Sequence, residues 1–336
     1  NCDRISGSGW QDLNMKLLMI STDQNIFQAG SAVRARMVEY ARSLEALHII
    51  VFTNQKFLAQ QFCANGWVYA TNSWSKWFNI FDAINLGKNI VADQKISEIT
   101  CQDPFLTAMV ALKLKKKFRI PLEIQVHTDI GSPYFAFNFG NRVRQFLAGR
   151  YLPQADKIRV VAERIKNYLV AKLRISEEKI TVRPIAVDVE KIKQAPVIVD
   201  LHEKYPQFEK IVLMASRLTP EKDLATGLRA FKLVQAQNQN TGLIIVGTGP
   251  ELVNLQKLVA ELDLPKNVVF ETWLSQDKLF AFYKTADIFL STSLYEGYGL
   301  SMLEANIAGL KVVATDAGIA SELTKQVCPV GDAECL

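Results

Sequence analysis

Two glutamates, Glu296 and Glu304, stand eight positions apart across a glycine-containing turn, Glu296-Gly297-Tyr298-Gly299-Leu300-Ser301-Met302-Leu303-Glu304. The runs Ala286-Asp287-Ile288-Phe289-Leu290-Ser291 before them and Leu310-Lys311-Val312-Val313-Ala314-Thr315 after them have strand character. The segment between therefore reads as strand, loop and helix, with Gly309 closing the helix at C′. A helix starting near Leu300 carries Glu304 on its early turns and leaves Glu296 on the loop. Both carboxylates can then face one pocket at the carboxyl end of a strand, where open α/β sheets bind ligands. Gly297 and Gly299 allow a close backbone approach, and the bare amides of the helix start favour an anion. Most glutamates are solvated surface charges; it is the whole pattern, and not either residue alone, that weighs against that reading here.

Candidate cations lie upstream. The segment Ser216-Arg217-Leu218-Thr219-Pro220-Glu221-Lys222-Asp223 follows the apolar strand from Lys210. Thr219 can cap a helix and Pro220 suits its first position, which puts Arg217 and Lys222 at the strand's carboxyl end, suited to a diphosphate. Surface salt bridges are the ordinary alternative. Near the start, Gly30-Ser31 opens a helix with a flexible residue and an N-cap candidate, a second place for an anion. His127 ends the strand Pro121–His127, a position that favours ligand contact over the commoner structural role of a histidine. Gly247-Thr248-Gly249 follows the strand Leu243–Val246, but Leu252 stands where a dinucleotide-binding turn has its third glycine.

These segments require a scaffold of alternating strands and helices. The chain opens as strand (Leu17–Ser21), loop, helix (Ser31–Glu45) and strand (His48–Thr53), and continues with a helix after Phe105, a strand near Ala155–Val161 and a helix over Ala162–Leu173. Phe57 to Lys117 mixes helical and strand-like pieces with Trp67, Trp74 and Trp77. Lys191–Phe208, with two prolines and little periodicity, is the linker candidate. The echo of Lys16-Leu17-Leu18-Met19-Ile20-Ser21 in Lys210-Ile211-Val212-Leu213-Met214-Ala215-Ser216 is consistent with two similarly built halves. The fold class is α/β, with domains at 15–194 and 195–336. Met15 is the expected natural start, and the polar segment before it is set aside as an upstream extension.

The eight-residue spacing of Glu296 and Glu304 closely resembles the glutamate signature of retaining nucleotide-sugar glycosyltransferases of the GT-B fold, family 4. The resemblance implies two Rossmann-like domains facing across a cleft and a metal-independent transfer from a UDP- or GDP-sugar to a glycan or lipid-linked acceptor, as in polysaccharide or glycolipid synthesis. It gives Arg217 and Lys222 the donor diphosphate, together with the amides around Gly297, Tyr298, Gly299 and Leu300. Glu304 takes the ribose hydroxyls, Glu296 and His127 the transferred sugar, and the loop at Gly30 the region near the diphosphate, with Ala29 in place of a second glycine. Val268–Leu274, with Trp273, lies where relatives approach the nucleobase, and Thr272 replaces a usual glycine. Full-length relatives continue for several helices past the position of Leu336, so the resemblance implies a shortened chain. Alternatives are a GT-B sugar-nucleotide epimerase or glycan phosphorylase, a nicotinamide-dependent oxidoreductase, and a non-catalytic sugar-binding module.

At 336 residues and 49% apolar composition the chain can bury sizeable cores. It has no apolar run long enough to span a bilayer and no signal-like start, which predicts a cytoplasmic protein, peripheral at most on the inner membrane face. The net charge of +5 is uneven: residues 1–194 hold 27 basic against 17 acidic residues (+10) and the remainder 12 against 17 (−5). The basic half, with the Phe/Tyr and Arg segment from Tyr134 to Arg150, fits an anionic membrane or a diphosphate-linked acceptor; nucleic acid is not expected as a partner. Five scattered cysteines are expected to be reduced, three histidines with no two at metal-binding spacing predict no bound metal, and the resemblance, in which the nucleotide-sugar is a substrate, implies no cofactor.

Overall fold

The computed structural model describes residues 12–75 and 78–336. The chain divides into two compact units between Pro184 and Ile185. Trp77 and Cys2 lie outside the described residues. In the first unit the strands are β1 (Asp12–Ser21), β2 (Leu44–Val51), β3 (Gln60–Cys63), β4 (Gly66–Ala70), β5 (Glu98–Cys101), β6 (Leu122–Val126), β7 (Lys157–Val160) and β8 (Ile180–Val182). The helices between them are α1 (Ala32–Ala41), α2 (Asn79–Gln94), α3 (Leu106–Phe118), α4 (Phe139–Tyr151) and α5 (Glu163–Leu173). The sheet runs β3-β4-β2-β1-β5-β6-β7-β8, parallel except where β3 pairs with β4. Leu17, Leu18, Ile20, Leu47, Ile50 and Val51 are fully buried. Such near-continuous apolar strands belong to sheets covered on both faces, and the helical crossovers keep them parallel.

Two boundaries differ from the sequence reading for physical reasons. Asp12–Asn14, set aside as an extension, begin β1, with Asp12 paired to Leu44. The helix expected to reach Glu45 stops at Ala41, because Leu44 and Leu47 are buried and start β2.

The second unit has α6 (Val189–Gln194), α7 (Leu201–Lys204), β9 (Lys210–Ala215), α8 (Leu224–Gln237), β10 (Thr241–Val246), α9 (Leu252–Glu261), β11 (Val268–Glu271) and α10 (Gln276–Thr285). It continues with β12 (Ile288–Ser291), α11 (Leu300–Ile307), β13 (Lys311–Thr315), α12 (Ala320–Leu323) and β14 (Val327–Cys328). Its wholly parallel sheet runs β11-β10-β9-β12-β13-β14. The expected linker is not free chain: Ile192, Ala195, Leu201 and Phe208 join Ile211, Leu213, Phe280, Phe282 and Phe289 in the core on one sheet face. The opposite face buries Met214, Leu218, Leu228, Phe231 and Leu255.

One cysteine expectation is overturned. Cys328 and Cys335 form a disulfide, their Cα atoms 5.6 Å apart. The chain turns back between them at Asp332, whose carboxylate accepts from the Glu334 and Cys335 amides at 3.1 and 3.0 Å, so two positions that look scattered in sequence become neighbours. Cys63 and Cys101 are free thiols.

Candidate functional site

In the second sheet the chain builds outward from β9 in both directions: β10 and β11 on one side, β12 to β14 on the other. The loops leaving adjacent β9 and β12 therefore diverge at a topological switch point, the standard ligand crevice of an open parallel sheet. The β9 loop carries Arg217 and Lys222; the β12 loop carries Glu296 and the glycines.

Hydrogen bonds stitch these loops together. The Leu294 amide donates to the Glu221 carbonyl at 2.9 Å, and Thr292 Oγ1 donates to the Lys222 carbonyl at 2.9 Å. Lys222 Nζ forms an ion pair with Glu296 Oε1, both side chains mostly covered at 14% and 17% exposure. Ser293 Oγ donates to the same carboxylate oxygen at 2.8 Å. A pair this sheltered cannot lose one member without leaving the other poorly solvated. Arg217 behaves differently: 67% exposed, it meets Glu221 at 3.1 Å across one turn, an arrangement of little energetic weight.

Thr219 does not cap a helix as expected. Pro220–Lys222 is a single 3-10 turn, Thr219 makes no side-chain cap, and Asp223 caps α8 by accepting from Thr226 N. The residue after the turn, and not the one before it, had the carboxylate to hold the first amides.

The Gly247-Thr248-Gly249 turn has a packing cause. A Cβ on Gly247 would lie 1.9 Å from the Ser216 carbonyl oxygen, and one on Gly249 2.2 Å from that of Leu218. Leu218 N donates to Thr248 O at 2.9 Å and Glu251 N to Leu218 O at 3.0 Å. The glycines therefore let the Arg217 loop lie directly on the β10 loop.

Helix α11 begins at Leu300 as expected, with Gly299 as a left-handed N-cap (φ 97°) and no side chain capping its first amides. These amides form the positive end of the helix, directly after the Glu296 loop. Gly318, after β13, supports that loop from behind: a Cβ there would lie 2.5 Å from the Tyr298 carbonyl, which also accepts from Ile319 N at 3.0 Å. Glu304 lies on α11, where burial raises its carboxyl pKa above the ordinary value and the buried Tyr283 hydroxyl of α10 approaches at 3.5 Å. Glu296 and Glu304 thus have separate partners. Trp273, just past β11, is exposed. Sequence reasoning missed Ser293 and Tyr283. A hydroxyl two residues past a strand end, and a tyrosine on a buried helix face that needs a partner for its OH, were the available signals.

In the first unit, Gly30 adopts φ 82° before α1, and Ser31 caps that helix by accepting from Arg34 N at 3.1 Å. Gly30 is exposed, on the loop after β1, which is this sheet's own switch point. His127 follows the carboxyl end of β6, with its Nε2 3.1 Å from Gln125 Oε1.

Two family models match: "Glycosyltransferase Family 4" over residues 36–191 and "Glycosyl transferases group 1" over residues 201–327. The chain belongs to glycosyltransferase family 4. The second match covers the Arg217, Lys222, Glu296 and Glu304 region, and the first covers His127. Among relatives, the chain is 24% identical over 235 residues to the alpha-monoglucosyldiacylglycerol synthase of Streptococcus pneumoniae, 67% of this chain and 53% of the relative. It is 27% identical over 218 residues to the 2-deoxystreptamine glucosyltransferase of Streptomyces kanamyceticus, 62% of this chain and 56% of the relative. It is 31% identical over 148 residues to the GDP-mannose-dependent alpha-(1-6)-phosphatidylinositol monomannoside mannosyltransferase of Mycobacterium tuberculosis, 41% of this chain and 38% of the relative. The matched part thus spans little more than half the length of the first two relatives. Among solved structures, the sucrose-phosphate synthase of Thermosynechococcus elongatus superposes with a TM-score of 0.77 at 17% identity, over 95% of this chain and 87% of that one. HepE of Anabaena, solved with UDP and glucose, superposes with a TM-score of 0.71 at 19% identity, over 96% and 87%. These likenesses show the GT-B fold.

Proposed function

We propose that the chain transfers a sugar from a nucleotide-sugar donor to a glycan or lipid-linked acceptor with retention of configuration and without a metal ion. The observation that carries this reading is the paired Lys222 and Glu296 at the switch point of the second sheet, with Arg217 on the loop of Lys222 and α11, whose first amides no side chain caps, following the loop of Glu296. Lys222, Arg217 and those amides take up the negative charge that grows on the leaving nucleoside diphosphate, the work a divalent cation does in other transferases. Glu304 holds the ribose hydroxyls and Glu296 the hydroxyls of the transferred sugar, and His127 at the end of β6 in the first unit is a further candidate for contact with a sugar hydroxyl. The acceptor hydroxyl attacks the anomeric carbon from the face the diphosphate leaves. Its proton goes to the leaving phosphate oxygen, so no separate side-chain base is required. One similar protein is solved with UDP and glucose and another is GDP-mannose-dependent, so the donor carries uridine or guanosine. The test is donor turnover by the purified chain in excess EDTA: release of nucleoside diphosphate from one UDP- or GDP-sugar supports the proposal, and activity that appears only on adding Mg²⁺ or Mn²⁺ overturns its metal-free part.

A lipid-linked acceptor at an anionic membrane belongs to the same proposal, supported by α4. Phe139, Val143 and Phe146, at helical spacing, are exposed at 81%, 41% and 72%, with Arg142 and Arg150 on the same helix. Aromatics flanked by arginines suit an interfacial helix, each basic residue adding on the order of 1 kcal/mol at an anionic surface. No helix among the described residues is long and apolar enough to cross a membrane. Sedimentation with phosphatidylserine vesicles is expected at low salt and lost at high salt or in Phe139→Ser/Phe146→Ser. Equal sedimentation with neutral and anionic vesicles, or none with either, contradicts it.

A further inference from the structure

The middle of the first sheet carries a polar stripe. Parallel register sets Thr100 of β5 opposite Glu123 of β6, and Glu123 and Gln125 of β6 opposite Lys157 and Arg159 of β7. By the two-residue repeat of a strand these side chains share one face, with His127 next in line beyond the end of β6. Thr100, Glu123 and Gln125 are buried.

Gln125 is held on both sides. Its Nε2 donates to Thr100 Oγ1 at 2.9 Å and to Glu123 Oε1 at 3.4 Å, and its Oε1 accepts from an Arg159 guanidinium nitrogen at 3.0 Å. A guanidinium offers only donors, and a carboxylate offers acceptors. The reverse amide orientation would press NH₂ against the guanidinium and oxygen against the carboxylate, so this assignment follows from the partners. His127 Nε2 lies 3.1 Å from that same Oε1, an acceptor, and must therefore carry the hydrogen. A neutral imidazole has one N–H, which leaves a lone pair on Nδ1.

We propose that Gln125, locked by Arg159, Thr100 and Glu123, is a positioning residue that fixes His127 as the Nε2–H tautomer, so that Nδ1 offers an acceptor to a sugar hydroxyl and disfavours an anionic group. The surroundings keep the ring neutral. Dense protein on one side, then the positive charges of Arg159 and Arg36, lower its pKa from 6.5 to about 4, although the imidazole also reaches solvent. The hydroxyl assignment rests on the glycosyltransferase reading, whereas the tautomer is a property of the free protein.

Long-range proton–nitrogen NMR on the ¹⁵N-labelled full chain at pH 7 reads the tautomer directly, and with three histidines in the sequence His127→Asn identifies the signals. The expected spectrum has a protonated Nε2 and an unprotonated Nδ1 for His127. A protonated Nδ1, or an even mixture, overturns the proposal. Gln125→Glu keeps the shape and puts a negative charge opposite Nε2–H, so the His127 midpoint is expected to rise by about 1 pH unit or more, the usual direction beside a carboxylate. An unchanged midpoint overturns the positioning role. Failure of the chain to bind any nucleotide sugar would leave the tautomer standing, and a wrong tautomer would leave donor binding standing.

Discussion

Glu304 shows how a residue proposed to bind the donor works against stability. Burial holds its carboxyl pKa above the ordinary 4.5, so the folded protein keeps the proton to a higher pH than the unfolded chain. The contribution to stability is most favourable below the unfolded pKa and is lost as pH rises through the raised folded one. At neutral pH the charged carboxylate therefore costs stability, and Glu304→Gln removes the cost. The variant is expected to melt higher than the parent at pH 7, to lose the decline that begins above pH 4.5, and to bind nucleotide more weakly. Thermal melts across pH 4 to 8 check this; superimposable curves would contradict it. The two glutamates were legible in sequence because they flank a glycine-containing turn between two strand-like runs. Their partners were not, because Lys222 and Tyr283 are brought in by tertiary packing and Ser293 by the local turn of the loop.

Elements read well where pattern and burial agree. Helices α3 and α5, strand β6 and the loop-to-helix step at Leu300 lie within a residue or two of their expected limits, since each is a continuous periodic run bounded by loop residues. The reading failed where local signals misled. Two prolines in 191–208 resembled a linker, yet four apolar residues there anchor it to the core. Thr219-Pro220 resembled a helix start, yet the helix waits for Asp223. Gly318 gives the strongest element-scale prediction. Its φ of 58° and the Tyr298 carbonyl 2.5 Å from a would-be Cβ leave Gly318→Ala both strained and crowded. A loss of about 1–3 kcal/mol is expected in denaturant melts, with weaker diphosphate binding because the Glu296 loop must shift. A variant as stable as the parent would show that the loop yields freely.

At the scale of the whole molecule, the α/β class and the two sheets followed from apolar strands alternating with helices, while the strand orders did not. Order depends on crossovers, which no local pattern encodes. It is the order β10-β9-β12 that brings two sequence-distant loops together, with Lys222 on one paired to Glu296 on the other. The central claim is that this switch point binds the donor diphosphate without a metal ion. Titration calorimetry of the chain with UDP and GDP in EDTA tests it most directly, with Lys222→Ala and Arg217→Ala beside the parent and circular dichroism confirming that each is folded. Binding of one nucleotide by the parent, weakened by about 1.5–3 kcal/mol in Lys222→Ala, is the predicted result, the scale of a charge-assisted hydrogen bond. No heat with either nucleotide, affinity unchanged in both variants, or binding that requires a divalent cation would contradict it.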